Sequence, residues 1–226
     1  MQPSPSRRQQ LIEVCVFLLL IVPAMFLSLA AVRPEQLNFP LVALSSSMTD
    51  LAMVALVLYF IWCNREGLAS IGWTKRNFGR ELAIGGALFV PFFIGVGFVA
   101  RMFEAAGLSA PAGPPRFLLP HGPYQMAGAF AFLVVVAVSE ETIFRGYLIK
   151  RFWAVTGNRT AAIVLSSLVF AIGHGYEGSA GVATVGLMGV VFCVIYLWRG
   201  SLVAAIAMHF LQDLVSIMLP ALAASH

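Results

Sequence analysis

Glu140, Glu141, Arg145, His174, His209 and Asp213 all stand within or at the ends of apolar runs. Ionisable groups inside a membrane are costly to keep, so each is a functional candidate by default. Their spacing sorts them. Glu141 and Arg145, Phe170 and His174, and His209 and Asp213 are each four residues apart, which places each pair on one helix face. Glu141 and Arg145 can therefore neutralise each other within one helix. Glu140 lies about a third of a turn away and has no cation of its own in that helix. His209 and Asp213 form a carboxylate–imidazole pair, an arrangement that fixes a histidine tautomer.

Such a set suits general acid–base chemistry. A carboxylate in an apolar pocket can take a proton from water and hand it on. Histidines can orient that water, donate to an oxyanion or bind a metal. The fitting reaction is amide hydrolysis without a nucleophilic side chain. Ser139 and Thr142 are adjacent but have no serine-protease arrangement around them, and no GxSxG occurs. Two other classes fit the same residues. A transporter would use the buried acids as a proton relay, although no inverted repeat is visible. A bacteriocin-immunity protein could carry the residues without cutting anything.

These residues need helices that cross a bilayer to hold them. Hydrophobic residues make up 60% of the 226-residue chain and charged residues 11%, with a mean hydropathy of +0.89. A soluble domain is nearer 45–50% apolar and about 25% charged. This balance excludes disordered chains, disulfide scaffolds and nucleic-acid-binding domains. Cys15, Cys63 and Cys193 match no metal or redox spacing. The expected fold is an all-α, polytopic membrane bundle forming one domain over residues 1–226. Seven apolar segments are candidate spans: 11–32, 41–62, 82–100, 126–149, 160–174, 181–198 and 201–219. The first reads as a retained helix rather than a signal peptide. The fifth is short for a full span and ends in Gly-His-Gly-Tyr-Glu-Gly.

With the N-terminus in the cytoplasm, the inside carries Arg7, Arg8, Arg65, Lys75, Arg76, Arg80, Lys150, Arg151, Arg159 and Arg199. The outside carries Arg33, Arg101 and Arg116, and ten cations against three obey the positive-inside rule. At 1.5 Å per residue, Glu140 lies about 15 Å, His174 about 22 Å, His209 about 13 Å and Asp213 about 20 Å from the cytoplasmic ends of their helices. Three segments thus bring acids and imidazoles to overlapping depths. Asp50, in the second segment beside Ser45, Ser46, Ser47 and Thr49, reads as a packing or hydration feature, with a place in the same cavity as the alternative. Residues 64–81 mix Leu68, Ile71, Trp73 and Phe78 with cations and read as an interfacial segment on the cytoplasmic surface. Residues 107–123 read as an irregular external loop. Gly85, Gly86, Gly95 and Gly97, and then Gly181, Gly186 and Gly189, would permit close helix contacts.

Three short patterns together resemble a known family. Glu140-Glu141-Thr-Ile-Phe-Arg145-Gly-Tyr-Leu resembles the EExxxR signature of the CPBP family. That family joins type II CAAX prenyl proteases to bacterial bacteriocin-processing, Abi-like relatives. Phe170-Ala-Ile-Gly-His174 resembles its FxxxH motif and His209-Phe-Leu-Gln-Asp213 its HxxxD/N motif. The resemblance covers about residues 126–215, and Ile71-Gly72-Trp73 adds a weaker likeness. It implies an intramembrane endopeptidase of the cell membrane, of bacterial inner-membrane type, acting on a membrane-associated protein or peptide. By this resemblance Glu140 activates the water and His174 helps to hold it. His209 and Asp213 stabilise the oxyanion or position the site, and Glu141, Arg145 and Phe170 support them. The prenyl-protease branch usually carries Asn where this chain has Asp213, which points away from a prenylated substrate. The family has been labelled both metalloprotease and glutamate-type protease. Glu140, His174 and His209 would be the ligands of a zinc ion. The lack of HExxH favours the reading without a cofactor.

Overall fold

A computed structural model describes residues 5–31, 37–74, 77–111 and 113–223. Arg33, Lys75, Arg76 and His226 lie outside the described residues. The helices are α1 (Arg7–Ala31), α2 (Phe39–Cys63), α3 (Phe78–Ala105), α4 (Gly122–Glu140), α5 (Ile149–Thr156), α6 (Arg159–Ile172), α7 (Gly178–Arg199) and α8 (Val203–Ala223). A π-helix, Glu141–Leu148, joins α4 to α5, so Gly122–Thr156 runs as one rod. That makes seven rods, and no strand occurs among the described residues. Six rods are long and apolar enough to cross a membrane. The chain is a multi-pass helical membrane bundle.

The exception is α6. Its 14 residues are about 21 Å long at 1.5 Å per residue, against a hydrocarbon core of about 30 Å. Local chemistry sets its start, where the Asn158 side chain accepts from the Ala161 N–H at 3.1 Å. Asn38 caps α2 in the same way at 3.0 Å, followed by Pro40 in the first turn, where its missing N–H costs nothing.

The main packing seams are α3 on α8, α6 on α7, α2 on α4, and α5 on α6. The core between them holds Phe17, Ile143, Tyr147, Leu148, Phe192 and Met208, all almost wholly buried. Of the glycines expected to bring helices together, Gly85 abuts α8 and Gly189 abuts Ser167 of α6. Gly86, Gly95 and Gly97 have nothing within 4 Å, and Gly181 meets only Glu177 of the preceding turn, so these do not serve close packing.

One end of the bundle carries a buried polar cluster. Arg151 is fully buried, with Nε 2.9 Å from Glu13 Oε2 and Nη2 2.6 Å from Glu66 Oε2. Tyr147 donates to Glu13 at 3.0 Å, and Lys150 reaches Glu66 at 2.6 Å. Burial works against the charge on Glu66. Hydrogen bonds from Arg151 and Lys150 outweigh it and hold the carboxyl below its ordinary value of 4.5. Arg7 donates to the Val155 carbonyl at 2.7 Å, and Arg199 grips Glu81 through two bonds of 2.7 and 2.9 Å. These contacts gather the start of α1, the end of α2 and the end of α5 at this end, and tie the start of α3 to the end of α7.

The segment after α2 departs from the sequence expectation. It does not lie across the outside of the bundle as an amphipathic strip. Leu68 and Phe78 are exposed, but Ile71 is fully buried and Trp73 is half-buried. A 3₁₀ turn, Leu68–Ile71, carries the chain inwards. Gly72 then adopts a positive φ of 87°, open to glycine at no steric cost. The reason is polar: the Gly72 carbonyl accepts from the Leu202 N–H at 3.1 Å, and the Trp73 indole donates to Thr142 Oγ1 at 3.1 Å.

Candidate active site

The two adjacent glutamates sit at the junction where α4 gives way to the π-helix. π-Helical segments inside longer helices are rare and occur frequently at functional sites. Here the widened turn lets consecutive side chains reach opposite edges of one imidazole. Glu141 Oε1 lies 2.8 Å from His209 Nδ1, and Glu140 Oε2 lies 3.5 Å from His209 Nε2. Asp213 Oδ2 stands 3.3 Å from the same Nε2. The expected His209–Asp213 pairing is present on one edge of the ring, and Glu141 holds the other. Sequence spacing assigned Glu141 to Arg145 alone. In the fold its Oε1 serves both, at 2.9 Å from Arg145 Nη1.

Arg145 is fully buried, and its guanidinium nitrogens have no well-aligned hydrogen bond. Aromatic faces take up its charge instead. Its guanidinium carbon is 4.1 Å from the centre of the Phe170 ring and 5.1 Å from that of Phe192. A cation over an aromatic face is attracted by the ring quadrupole, more strongly when desolvated. Phe192 also stacks on the His209 ring, with centroids 5.5 Å apart and planes 19° from parallel. Phe170 meets His209 edge-on at 6.0 Å. The two phenyl rings thus form a box around Arg145 and His209. Phe192 carries no sequence signal, since it is one apolar residue within an apolar span.

His174 follows the end of α6 in a short irregular turn. Its Nδ1 is 3.0 Å from the Phe170 carbonyl. A carbonyl only accepts, so Nδ1 carries the proton and Nε2 of the neutral ring is left as an acceptor. His174 joins the cluster through the Phe170 ring, 4.9 Å away, with His209 and Asp213 in electrostatic range. Asp50, on α2, is partly buried with His209 and Glu140 in electrostatic range, so it faces the same cluster. The fold therefore brings Glu140, Glu141, Arg145, His209 and Asp213 into direct side-chain contact, at 2.8–3.5 Å, with His174 beside them.

The zinc alternative required Glu140, His174 and His209 as one ligand set. Among the described residues no group of three or more His, Cys, Asp or Glu is arranged to hold a metal ion. His174 Nδ1 and His209 Nδ1 are both engaged elsewhere, and His209 Nε2 faces two carboxylates.

Glu140 differs from its neighbours. Its Oε2 is buried without a hydrogen-bond partner, yet its side chain keeps 18% of its exposure. Glu141 is wholly buried. One acid is sealed and structural in its contacts, while the other retains access. An accessible carboxylate beside a carboxylate-held imidazole can move protons to and from a bound molecule.

Residues 122–215 match the family model described as Type II CAAX prenyl endopeptidase Rce1-like. No curated protein and no solved structure matches the chain. The matched segment holds all three motifs, from Glu140 to Asp213, so this part of the chain is similar to the type II CAAX prenyl endopeptidases.

Proposed function

We propose that this protein is an intramembrane endopeptidase that hydrolyses a peptide bond of a membrane-associated protein or peptide, with Glu140 activating the water. The observation that carries this reading is the contrast within the Glu140–Glu141 pair: the Glu140 side chain keeps 18% of its exposure with Oε2 3.5 Å from His209 Nε2, whereas Glu141 is wholly buried. In the proposed reaction Glu140 takes a proton from water. The resulting hydroxide adds to the peptide carbonyl, and the same proton then passes to the leaving amine as the C–N bond breaks. His174 offers Nε2 as acceptor to a hydrogen of that water. His209 is held at Nδ1 by Glu141 and donates from Nε2 towards the oxyanion. Asp213 and Phe192 keep its ring in place. This sequence of steps uses no metal. Chelation with recovery on adding zinc would overturn that part alone.

The proposed setting is the cell membrane, of bacterial inner-membrane type, with the cation-rich end of the bundle in the cytoplasm. Supporting this orientation, Arg7, Lys150, Arg151 and Arg199 all anchor contacts at helix ends expected on one side. Leader peptides, sorting signals and prenylated tails are the substrate candidates. Glu140→Gln, which keeps shape but cannot act as a base, tests the reading. Membrane and secreted peptides from cells carrying wild type or Glu140→Gln are compared for new termini. Termini present only with wild type are expected. Identical termini in both, or potential-driven flux that depends on Glu140 with every peptide intact, would overturn it.

A further inference from the structure

The segment between α2 and α3 runs back along the π-helix and touches it at regular intervals. Glu66 pairs with Lys150 and Arg151 just past its end. Ser70 Oγ accepts from Lys150 Nζ at 2.8 Å. The Ile71 carbonyl packs on Gly146, so closely that a β-carbon there would lie 2.6 Å from the oxygen. Trp73 Nε1 donates to Thr142 Oγ1 at 3.1 Å. Thr142 in turn donates to the Val138 carbonyl at 2.6 Å, across the junction that carries Glu140 and Glu141. The partners at 142, 146 and 150–151 are spaced by about one helical turn each, so the strap covers the π-helix from end to end. The same strap reaches the other half of the site. The Gly72 carbonyl accepts from the Leu202 N–H at the start of α8, the helix of His209.

We propose that Trp73 is a positioning residue: through Thr142, with Gly72 on Leu202, it sets the distance between Glu141 and His209. The proposal rests on the proteolytic reading for its kinetic arm only. A π-turn is intrinsically less favoured than an α-turn and persists where surrounding contacts over-determine it. The strap supplies those contacts at Thr142, Gly146 and Lys150. Losing the Trp73 bond frees the junction to relax and draws Glu141 away from the Nδ1 edge of His209. A misplacement of this kind lowers the rate of the chemical step without touching the surface that binds substrate.

The test uses the full-length protein in detergent, labelled with ¹⁵N-histidine, with the His209 signal assigned by His209→Asn. Trp73→Phe keeps the ring and removes only the donor. Thr142→Val removes the same bond from the other side, so instability of one variant leaves the other to decide. Both should move the His209 Nδ1 proton signal. Trp62→Phe, on an exposed ring, should not. In kinetics with an internally quenched peptide built on the wild-type-specific terminus, both strap variants should show a kcat about ten- to hundredfold lower with KM unchanged. Thr142→Ser, which keeps the hydroxyl, should restore both readouts. The double variant should lose no more than Thr142→Val alone, because that substitution already removes the Trp73 bond along with the one to Val138. An unmoved His209 signal with unchanged kcat in Trp73→Phe and Thr142→Val overturns the positioning role. Activity retained by Glu140→Gln overturns the proteolytic reading instead.

Discussion

Gly146→Ala adds one methyl group to the π-helix, and the structure fixes what that methyl meets. The new carbon would stand 2.6 Å from the Ile71 carbonyl oxygen, where ordinary contact begins at 3.4 Å, so something must move by 3.4 − 2.6 = 0.8 Å. The obstacle is backbone, tethered on its C-terminal side by the Gly72–Leu202 and Trp73–Thr142 hydrogen bonds. Overpacking of this kind costs about 1–3 kcal/mol. Against it, alanine is favoured over glycine in a helix interior by about 1 kcal/mol. Gly95→Ala provides the reference, because Gly95 has nothing within 4 Å and gains the preference without the clash. The two variants should therefore differ by the clash itself, about 1–3 kcal/mol. Thermal unfolding of the purified protein in one detergent reads this out, since each kcal/mol shifts Tm by about 2–4 °C for a chain of this size. Gly95→Ala should melt at or above wild type and Gly146→Ala below it. Equal Tm values for the two variants would refute the close approach of the strap.

The contacts around His209 predict that Glu141→Gln harms cleavage more than Asp213→Asn. The first removes the negative charge behind the 2.8 Å bond and leaves buried Arg145 without its counter-charge, while the second alters a 3.3 Å contact on a partly exposed carboxylate. Cleavage rates of the two variants, measured side by side on the same peptide, check the order. Glu66 should make stability fall in acid. Its folded carboxyl lies below its ordinary value of 4.5, so its contribution is complete above that value and is lost as pH falls through the folded pKa. Glu66→Gln should accordingly lower Tm at neutral pH, and the gap from wild type should close on acidification. A gap that stays constant with pH refutes this.

The sequence made the rods legible because long apolar runs separated by short charged loops have few other solutions in a bilayer. It made the site legible because so few ionisable groups lie within those runs. Glu140, His209 and Asp213 meet at overlapping depths and Glu141 pairs with Arg145 as its spacing indicated, while the Glu141–His209 bond was not visible in that spacing. Three more things were hidden. The π-turn at Glu141–Leu148 has no composition that marks it out from an ordinary α-turn. Phe192 looks like any other apolar residue until its ring is seen between Arg145 and His209. Ile71 and Trp73 have the composition of an interfacial segment, and that segment is drawn inwards by bonds to Thr142 and Leu202 and by contacts with Gly146 and Lys150 that the sequence does not show.

The buried charge cluster also bears on how the chain assembles. The cations Lys150, Arg151 and Arg199 lie inside the family-matching segment 122–215. Their carboxylate partners Glu13, Glu66 and Glu81 all precede it. The motif-bearing segment is therefore not a self-sufficient module. Cut out alone, it would carry Arg151 into the interior with no counter-charge, which breaking a buried pair shows to be severely destabilising. During synthesis the order is reversed: the acids of α1, the strap and α3 emerge first and wait for cations still to be made. The carboxylates of α1, the strap and α3 therefore lack these partners until the later segment is in place.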